Sequence, residues 1–280
     1  MHGRRLAIRT GLAIFSALAN PFDVWADETG VSSDSILFGQ AAALEGPSSA
    51  LGQGMRQGIL AAFAEINAKG GVHGRKLKLI SRDDGYDPDR SVAQSTKLIE
   101  EDKVFALIGA VGTPTTTATV PIAKAKNVPF IGPFTGAGFL RAPELDNVVN
   151  ISFVGAIALA RELGPEGQGV IVSQVVPFPW DTSVKVVADY QAAEKALDPN
   201  LKPDFVSLEG YLSGRLVASA LQQTGPNPTR ADMLKVINDV GRFDISGTII
   251  TFEPRTHAES GKVFLTVIRR DGTFKAVEKL

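Results

Sequence analysis

The sequence contains no cysteine. We therefore expect no disulfide, no thiolate nucleophile, no iron–sulfur cluster and no lipid anchor on an N-terminal cysteine. Histidine is scarce too, because only His2, His73 and His257 occur. No uninterrupted apolar run approaches the roughly 18 residues that a membrane-spanning helix needs. These absences leave little for redox, metal or imidazole chemistry, and we expect neither a cofactor nor a metal.

An excess of charge of one sign is also missing. Twenty-nine lysines and arginines stand against 30 acidic residues, and the net charge is −1. The sequence has no cluster of five basic residues, which argues against a basic surface that binds the phosphate backbone of nucleic acid. Nucleic acid is therefore not an expected partner. What is present is ordinary globular composition, 44% hydrophobic and 21% charged. At about 150 residues per domain, 280 residues predict one large domain or two small ones.

The first 26 residues have the pattern of an export signal. Arg4, Arg5 and Arg9 give a positive start, residues 11–19 are apolar, and small residues at 24–26 precede Asp27. We expect cleavage after Ala26 and an exported mature chain. The alternative is a buried N-terminal strand or helix.

The first half alternates between strand and helix patterns. Strands are predicted at 36–44, 76–81, 104–108 and 128–131, and helices at 52–69, 87–101 and 113–126. Asp87 followed by Pro88 is an N-cap signature, and Thr113 with Pro114 is expected to cap the third helix. Such alternation implies right-handed crossovers and a doubly wound parallel sheet, so the fold class is α/β.

The second half is less regular. Strands are expected at 148–154 and 169–176 around a helix at 157–163, and a stiff Pro-rich segment at 177–180 is expected to cross between lobes. Further helices are predicted at 182–196, 206–223 and 229–240. Strands at 249–252 and 263–268 close the chain, with a hairpin turn at 270–272.

Four Gly-, Ser- and Thr-rich loops follow the first four strands, at 45–49, 83–86, 109–115 and 132–138. Ligands of parallel sheets bind at the carboxyl ends of strands, and a carboxylate fits at a helix N-terminus. Thr113 and Thr115 could supply hydroxyl donors, or simple N-caps. Tyr86 and Phe134 could cover an apolar portion. The predicted ligand-binding residues are Ser48, Tyr86, Gly112, Thr113, Thr115, Phe134, Thr135, Gly136 and Trp180.

Motifs for catalysis are missing. Neither a dinucleotide nor a phosphate loop follows a strand, and no G-x-S-x-G occurs. His73 and His257 sit in turn sequences without a motif around them. Asp83 and Asp84 could be metal ligands or an acid pair, although capping and loop hydrogen bonds are the simpler interpretation. We therefore predict a binding protein and not an enzyme, with a hydrolase as a distant alternative.

Several longer stretches resemble one known family. These are 66–79 (INAKGGVHGRKLKL), 82–88 (RDDGYDP), 107–109 (LIG), 128–136 (VPFIGPFTG), 175–180 (VVPFPW) and 205–211 (FVSLEGY). They are similar to the branched-chain amino-acid (leucine-binding protein-like) type of periplasmic ABC-transporter substrate-binding proteins. The resemblance implies a type I periplasmic-binding-protein fold whose two lobes enclose an amino acid or related carboxylate or amide. It also implies a periplasmic location and delivery to ABC permease subunits. Loops such as 112–113 and 134–136 would hold the ligand carboxylate.

The sequence departs from this pattern at Asn150 and Ile151, where stretches that relatives separate by several strand–helix units abut. By resemblance, lobe 1 comprises 27–147 and 177–246, whereas 148–176 and 247–280 form a truncated lobe 2. Ala156 and Ile157 stand where relatives carry a partner for a ligand ammonium. The alternative function is therefore a non-transport sensor or scaffold that has lost closure around its ligand.

Overall fold

The computed structural model describes residues 28–151, 160, 163–252 and 263–277. The predicted signal segment, the positions of Ala156 and Ile157, and His257 lie outside the described residues. The helices are α1 (Ser49–Ala68), α2 (Pro88–Glu100), α3 (Thr113–Ala125), α4 (Lys185–Leu197), α5 (Phe205–Thr224) and α6 (Arg230–Val240). None of them is long and apolar enough to cross a bilayer.

A five-stranded parallel sheet forms the centre of the fold, which confirms the α/β prediction. Its strands are β1 (Ser35–Ala42), β2 (Lys76–Asp83), β3 (Ala106–Ile108), β4 (Phe130–Ile131) and β5 (Val148–Val149). They are arranged in the order β2-β1-β3-β4-β5, and every pair runs parallel. Buried strand residues such as Phe38, Ala106 and Ile131 place the main core against this sheet.

The predicted helix starts at Asp87 and Thr229 are confirmed, whereas α1 begins at Ser49 instead of 52 and α4 at Lys185 instead of 182. The Asp87 side chain accepts a hydrogen bond from the Arg90 amide at 2.8 Å and thereby caps α2, with Pro88 as its first residue. Thr229 caps α6 in the same way, accepting from the Asp232 amide at 3.0 Å. The cap of α3, however, is Gly112 and not Thr113, which is the first helical residue. Only glycine adopts the Gly112 backbone angles (φ 96°, ψ 147°) without strain.

The remaining strands form two small antiparallel sheets. β7 (Arg242–Ile245) and β8 (Thr248–Thr251) form a hairpin. β6 (Ile171–Gln174), β9 (Phe264–Ile268) and β10 (Phe274–Val277) form the other sheet, in the order β10-β9-β6. The turn at 270–272 joins β9 to β10 as the sequence predicts.

These sheets correct three details of the predicted lobes. A parallel second lobe was expected, but its described strands run antiparallel because the β9–β10 hairpin pairs back on β6. The predicted boundary at 147/148 is also displaced, since β5 pairs with β4 as the fifth strand of the first sheet. The boundary at 246/247 likewise falls inside the β7–β8 hairpin, and β7 had no counterpart in the sequence prediction.

Helices α1 and α5 cross at very short distance beside the main sheet. An added Cβ at Gly58 of α1 would lie 1.8 Å from the Ser207 carbonyl oxygen, and one at Gly210 of α5 would lie 2.4 Å from the Met55 carbonyl oxygen. The crossing therefore requires glycine on both helices. It brings the N-terminal part of α5 next to the strand-end loops.

Candidate functional site

The strand order reverses between β1 and β3, the place where open parallel sheets have their ligand crevice. The chain leaves β1 toward β2 on one side, and later strands β3, β4 and β5 are added on the other. Open parallel sheets bind ligands outside the carboxyl ends of strands at such a point, where the direction of winding reverses. The loops after β1 and β3 flank this crevice, and those after β2 and β4 lie next to them.

Asp83, at the end of β2, holds the β1 loop in place. Its Oδ1 accepts hydrogen bonds from the amides of Leu44 (2.8 Å), Glu45 (3.1 Å) and Gly85 (3.2 Å). Arg90 donates to its other oxygen. Burial opposes ionisation of Asp83, but these hydrogen bonds outweigh it and hold its pKa below the ordinary value. Asp83 therefore stays charged and builds the loop.

Asp84 has a similar structural role for Tyr86. Its Oδ1 accepts from the Tyr86 amide at 2.8 Å, and its Oδ2 accepts from the Ser91 hydroxyl at 2.7 Å. Burial raises the pKa of Asp84 above its ordinary value, although both hydrogen bonds oppose the shift. Within the described ranges no group of three possible metal ligands occurs. The geometry thus favours the loop role of the two aspartates over the metal alternative.

Tyr86 has a backbone conformation that is rare for a large residue, with φ 65°. Such strain persists only where the surrounding structure enforces it, and it concentrates at functional sites. The Tyr86 ring lies directly over Gly112, where an added Cβ would be 2.4–2.7 Å from three ring and hydroxyl atoms. A half-buried aromatic ring therefore covers the start of α3.

The start of α3 is the polar part of the site. The hydroxyls of Thr113 and Thr135 share a hydrogen bond of 2.6 Å, which joins the β3 loop to the β4 loop. Thr113 is exposed and Thr135 is buried. The first-turn amides of a helix have no partner within the helix, and the helix dipole favours negative charge there. Hydroxyl and amide donors thus meet beside the crevice.

An apolar wall stands next to these donors. Phe134 donates its amide to the Ala110 carbonyl at 2.7 Å, and its ring belongs to a small cluster with Val111 and the half-buried Tyr86. Met55 of α1 and Val206 of α5 also belong to this cluster, together with Ala42 and Leu51. Neither Met55 nor Val206 is predictable from the sequence as part of the site, because each occupies an ordinary core position of a helix and only the crossing of α1 with α5 brings it here.

Other predicted site residues lie in different surroundings. Thr115 is buried, and its hydroxyl bonds to the carbonyls of Val111 and Gly112, so it is engaged in the helix start. Ser48 precedes α1 and is half-buried, with no side-chain capping bond. Gly136 is exposed beside Thr135.

Trp180 lies apart from the strand-end loops. Its ring packs on Phe178 and Phe205, with ring centroids 5.0 and 5.6 Å away, and it lines a cavity with the β9–β10 turn. None of the other predicted site residues lines that cavity. The Pro-rich segment thus directs Trp180 toward the second sheet and away from the crevice.

His73 is the one histidine within the described ranges. Its Nε2 lies 3.0 Å from the Gln222 carbonyl oxygen, and the residue sits in a turn with φ 47°. This contact is with a backbone carbonyl, and the interpretation as a binding site rests instead on the donors and the apolar cluster at the strand-end loops.

Comparisons with known proteins support this interpretation. A family model described as "Periplasmic binding protein" matches residues 35–151 and 140–273. "Leu/Ile/Val-binding protein homolog 2" of Brucella abortus (strain 2308) is 25% identical over 274 aligned residues, covering 76% of this chain and 74% of that protein.

Solved structures of substrate-binding proteins are also similar to this chain. A possible leucine/isoleucine/valine-binding protein from Rhodopirellula baltica SH 1 has a TM-score of 0.76 and 28% identity, covering 90% of this chain and 98% of that chain. The branched-chain amino acid transporter substrate binding protein LivJ of Streptococcus pneumoniae, solved with isoleucine, has a TM-score of 0.69 and 15% identity, covering 87% and 99%. At that identity the second likeness concerns the fold alone.

Proposed function

Because this chain belongs to the periplasmic binding protein family, which consists of solute-binding proteins and not enzymes, we propose that it captures a small amino acid or a related carboxylate or amide. The ligand would bind in the crevice between β1 and β3. We further propose that the chain is exported with cleavage after Ala26 and delivers its ligand to ABC permease subunits. The names of its relatives support the amino-acid class.

One observation carries the proposal: the donors at the start of α3 adjoin the apolar wall. A ligand carboxylate fits at the first turn of α3, where the exposed Thr113 hydroxyl and the helix dipole favour an anion. An aliphatic side chain fits against Phe134 and Tyr86. An amino acid with an apolar side chain has both of these groups.

The proposed contacts follow from where the predicted residues lie. Ser48, Tyr86, Gly112, Thr113, Phe134, Thr135 and Gly136 remain in the proposed set, because they belong to the loops around the crevice. Thr115 supports the helix start instead, since its hydroxyl hydrogen is donated within the loop. Trp180 is assigned to a different cavity.

We also propose that the second lobe is shortened at Asn150 and Ile151. The two matches to the family model meet over 140–151, around this junction. The 274 aligned positions of the Brucella relative exceed the residues contained in 76% of a 280-residue chain, so that alignment contains gaps in this chain. The gaps support a missing internal segment, and the meeting of the two family matches supports its place near this junction.

The small second sheet favours one alternative function, a sensor or scaffold that no longer closes around its ligand. Its described part has three strands, β6, β9 and β10. Small-angle scattering with and without a bound amino acid distinguishes the two functions. Ligand-induced compaction supports transport-type closure, and an unchanged radius of gyration supports the sensor.

Thr113→Ala and Thr135→Ala are each expected to weaken ligand binding by about 0.5–1.5 kcal/mol, the usual contribution of one neutral hydrogen bond. Isothermal titration calorimetry with leucine, isoleucine, valine and small amides provides the measurement. Thr117→Ala is the matched control, because this exposed threonine lies on the same helix and its hydroxyl donates only to the Thr113 carbonyl, at 2.8 Å. No heat with any of these ligands from the folded protein would refute amino-acid binding. Unchanged affinity in both variants would refute the pocket.

A further inference from the structure

Trp180 is unusual because it is both exposed and firmly held. Its side chain is 43% exposed, although two aromatic neighbours fix it. The Phe178 ring lies 5.0 Å away, and the Phe205 ring meets it nearly edge-on at 5.6 Å and 86°. Aromatic pairs in this geometry stabilise one another beyond simple burial. Trp180 therefore presents exposed apolar surface beside two packed aromatic rings.

This surface lines a cavity of about 840 Å³, which we call the aromatic cavity. Phe178 and Trp180 form one side of it, and residues 269 and 271–276 of the β9–β10 hairpin form the other. Buried Phe274 packs on Phe205 at 5.3 Å and so ties the hairpin to the start of α5. A volume of this size suits a small organic ligand.

The charged groups around the aromatic cavity are not equivalent. The Asp181 carboxylate accepts hydrogen bonds from the amide and the hydroxyl of Ser183, at 3.0 and 2.5 Å. The Asp271 carboxylate accepts from the amide and the hydroxyl of Thr273, at 3.0 and 2.6 Å. In each acid both hydrogen bonds fall on Oδ1 and come from the acid's own turn.

The two basic residues that line the aromatic cavity, Arg269 and Lys275, differ from these acids. Among the residues that the structure describes, neither Arg269 nor Lys275 forms an ion pair within 4 Å. Arg269 is still close enough to Asp271 to contribute to its lowered pKa, after the larger effect of the Thr273 hydrogen bonds. Two exposed cations therefore border the aromatic wall, beside two carboxylates whose Oδ1 atoms accept hydrogen bonds from their own turns.

We propose that the aromatic cavity is a second ligand site, separate from the strand-end crevice, and that it binds a carboxylate carrying an aromatic ring. The ring stacks on the open face of Trp180, and the carboxylate lies between Arg269 and Lys275. An anion with a flat apolar part can both stack on Trp180 and pair with the two basic residues. An aliphatic amino acid lacks the ring for the first of these contacts. The lining of this cavity shares no residue with the crevice loops.

The test uses 3-phenylpropanoate as the probe and 3-phenylpropanamide as its uncharged counterpart. The proposed cleavage after Ala26 removes Trp25 and leaves Trp180 as the only tryptophan, and Trp25→Phe gives the same single-tryptophan protein where residues 1–26 are retained. In this single-tryptophan protein we expect 3-phenylpropanoate to change the tryptophan fluorescence saturably. Added salt should reduce the fluorescence change caused by 3-phenylpropanoate, because the proposed contact is an exposed ionic one. 3-Phenylpropanamide, used in place of the carboxylate, should give a smaller change because it carries no charge. L-leucine should not compete.

Charge variants then identify the contact. Arg269→Gln combined with Lys275→Gln is expected to weaken 3-phenylpropanoate binding about 5- to 10-fold by calorimetry, in keeping with two exposed ionic contacts. Arg270→Gln is the matched control, since this neighbour does not line the cavity. The charge-preserving pair Arg269→Lys and Lys275→Arg should retain binding even if the double glutamine variant fails to fold.

Three outcomes overturn the proposal. They are absence of 3-phenylpropanoate binding to the folded protein at millimolar concentration, an equal loss with Arg270→Gln, and displacement of the probe by L-leucine. The last result would mean a single shared cleft. The amino-acid proposal for the crevice stands or falls separately, through leucine binding and the Thr113→Ala variant.

Discussion

Gly58→Val is expected to destabilise the protein by about 3 kcal/mol, the upper part of the usual range for overpacking a core. A Cβ at this position would lie 1.8 Å from the Ser207 carbonyl oxygen and 2.6 Å from the Tyr211 amide nitrogen. Both are backbone atoms, so no side-chain rotation can relieve the clash. The helices α1 and α5 would have to separate, and the buried contacts between them would be lost.

Urea denaturation followed by circular dichroism measures this effect. Gly138→Val is the control, because no atom lies within 4 Å of an added Cβ there and the residue has no positive φ. The control should change the free energy of unfolding by less than about 0.5 kcal/mol, as surface substitutions do. Equal unfolding midpoints for the two variants would contradict the close crossing of α1 and α5.

Gly112→Ala is expected to lower ligand affinity at least about tenfold and to destabilise the fold by about 1–3 kcal/mol, the usual cost of a strained backbone conformation. The φ of 96° suits glycine alone, and an added Cβ would press on the Tyr86 ring at 2.4–2.7 Å. The ring and the first turn of α3 would both shift. Calorimetry and urea denaturation measure the two effects.

A double-variant cycle separates the clash from the backbone strain. Tyr86→Ala removes the ring that the new Cβ would meet, so Gly112→Ala should cost less stability in the Tyr86→Ala background than in the parent chain. The backbone strain remains in both backgrounds. If the losses of unfolding free energy from Gly112→Ala and Tyr86→Ala simply add in the double variant, the Tyr86 ring does not lie over Gly112.

Much of the first sheet follows from local signals in the sequence. Asp87 with Pro88 predicts the start of α2, and the glycines at 70–71 predict the end of α1 near Ala68. Such signals depend on residues within one or two turns, which is why they are legible without a structure. The hairpin turn at 270–272 belongs to the same class.

The candidate site was predictable only in part. The strand-end loops follow from the alternation of strands and helices, and the sequence therefore placed Tyr86, Thr113 and Phe134 near one another. It could not indicate that Met55 and Val206 belong to the apolar wall, because their positions resemble any buried face of a helix. Nor could it show that Thr115 and Thr113 have different roles. The backbone geometry around Gly112 turns the Thr115 hydroxyl inward, toward the carbonyls of Val111 and Gly112.

The sequence by itself therefore determined the α/β class, the family resemblance and the loops that surround the crevice, because periodicity, capping residues and glycine turns act over short distances. The tertiary structure decided three further points. β5 joins the first sheet, the described strands of the second sheet run antiparallel, and Trp180 faces a cavity of its own. Each of these depends on contacts between residues far apart in the chain, and no local pattern encodes which distant surfaces meet.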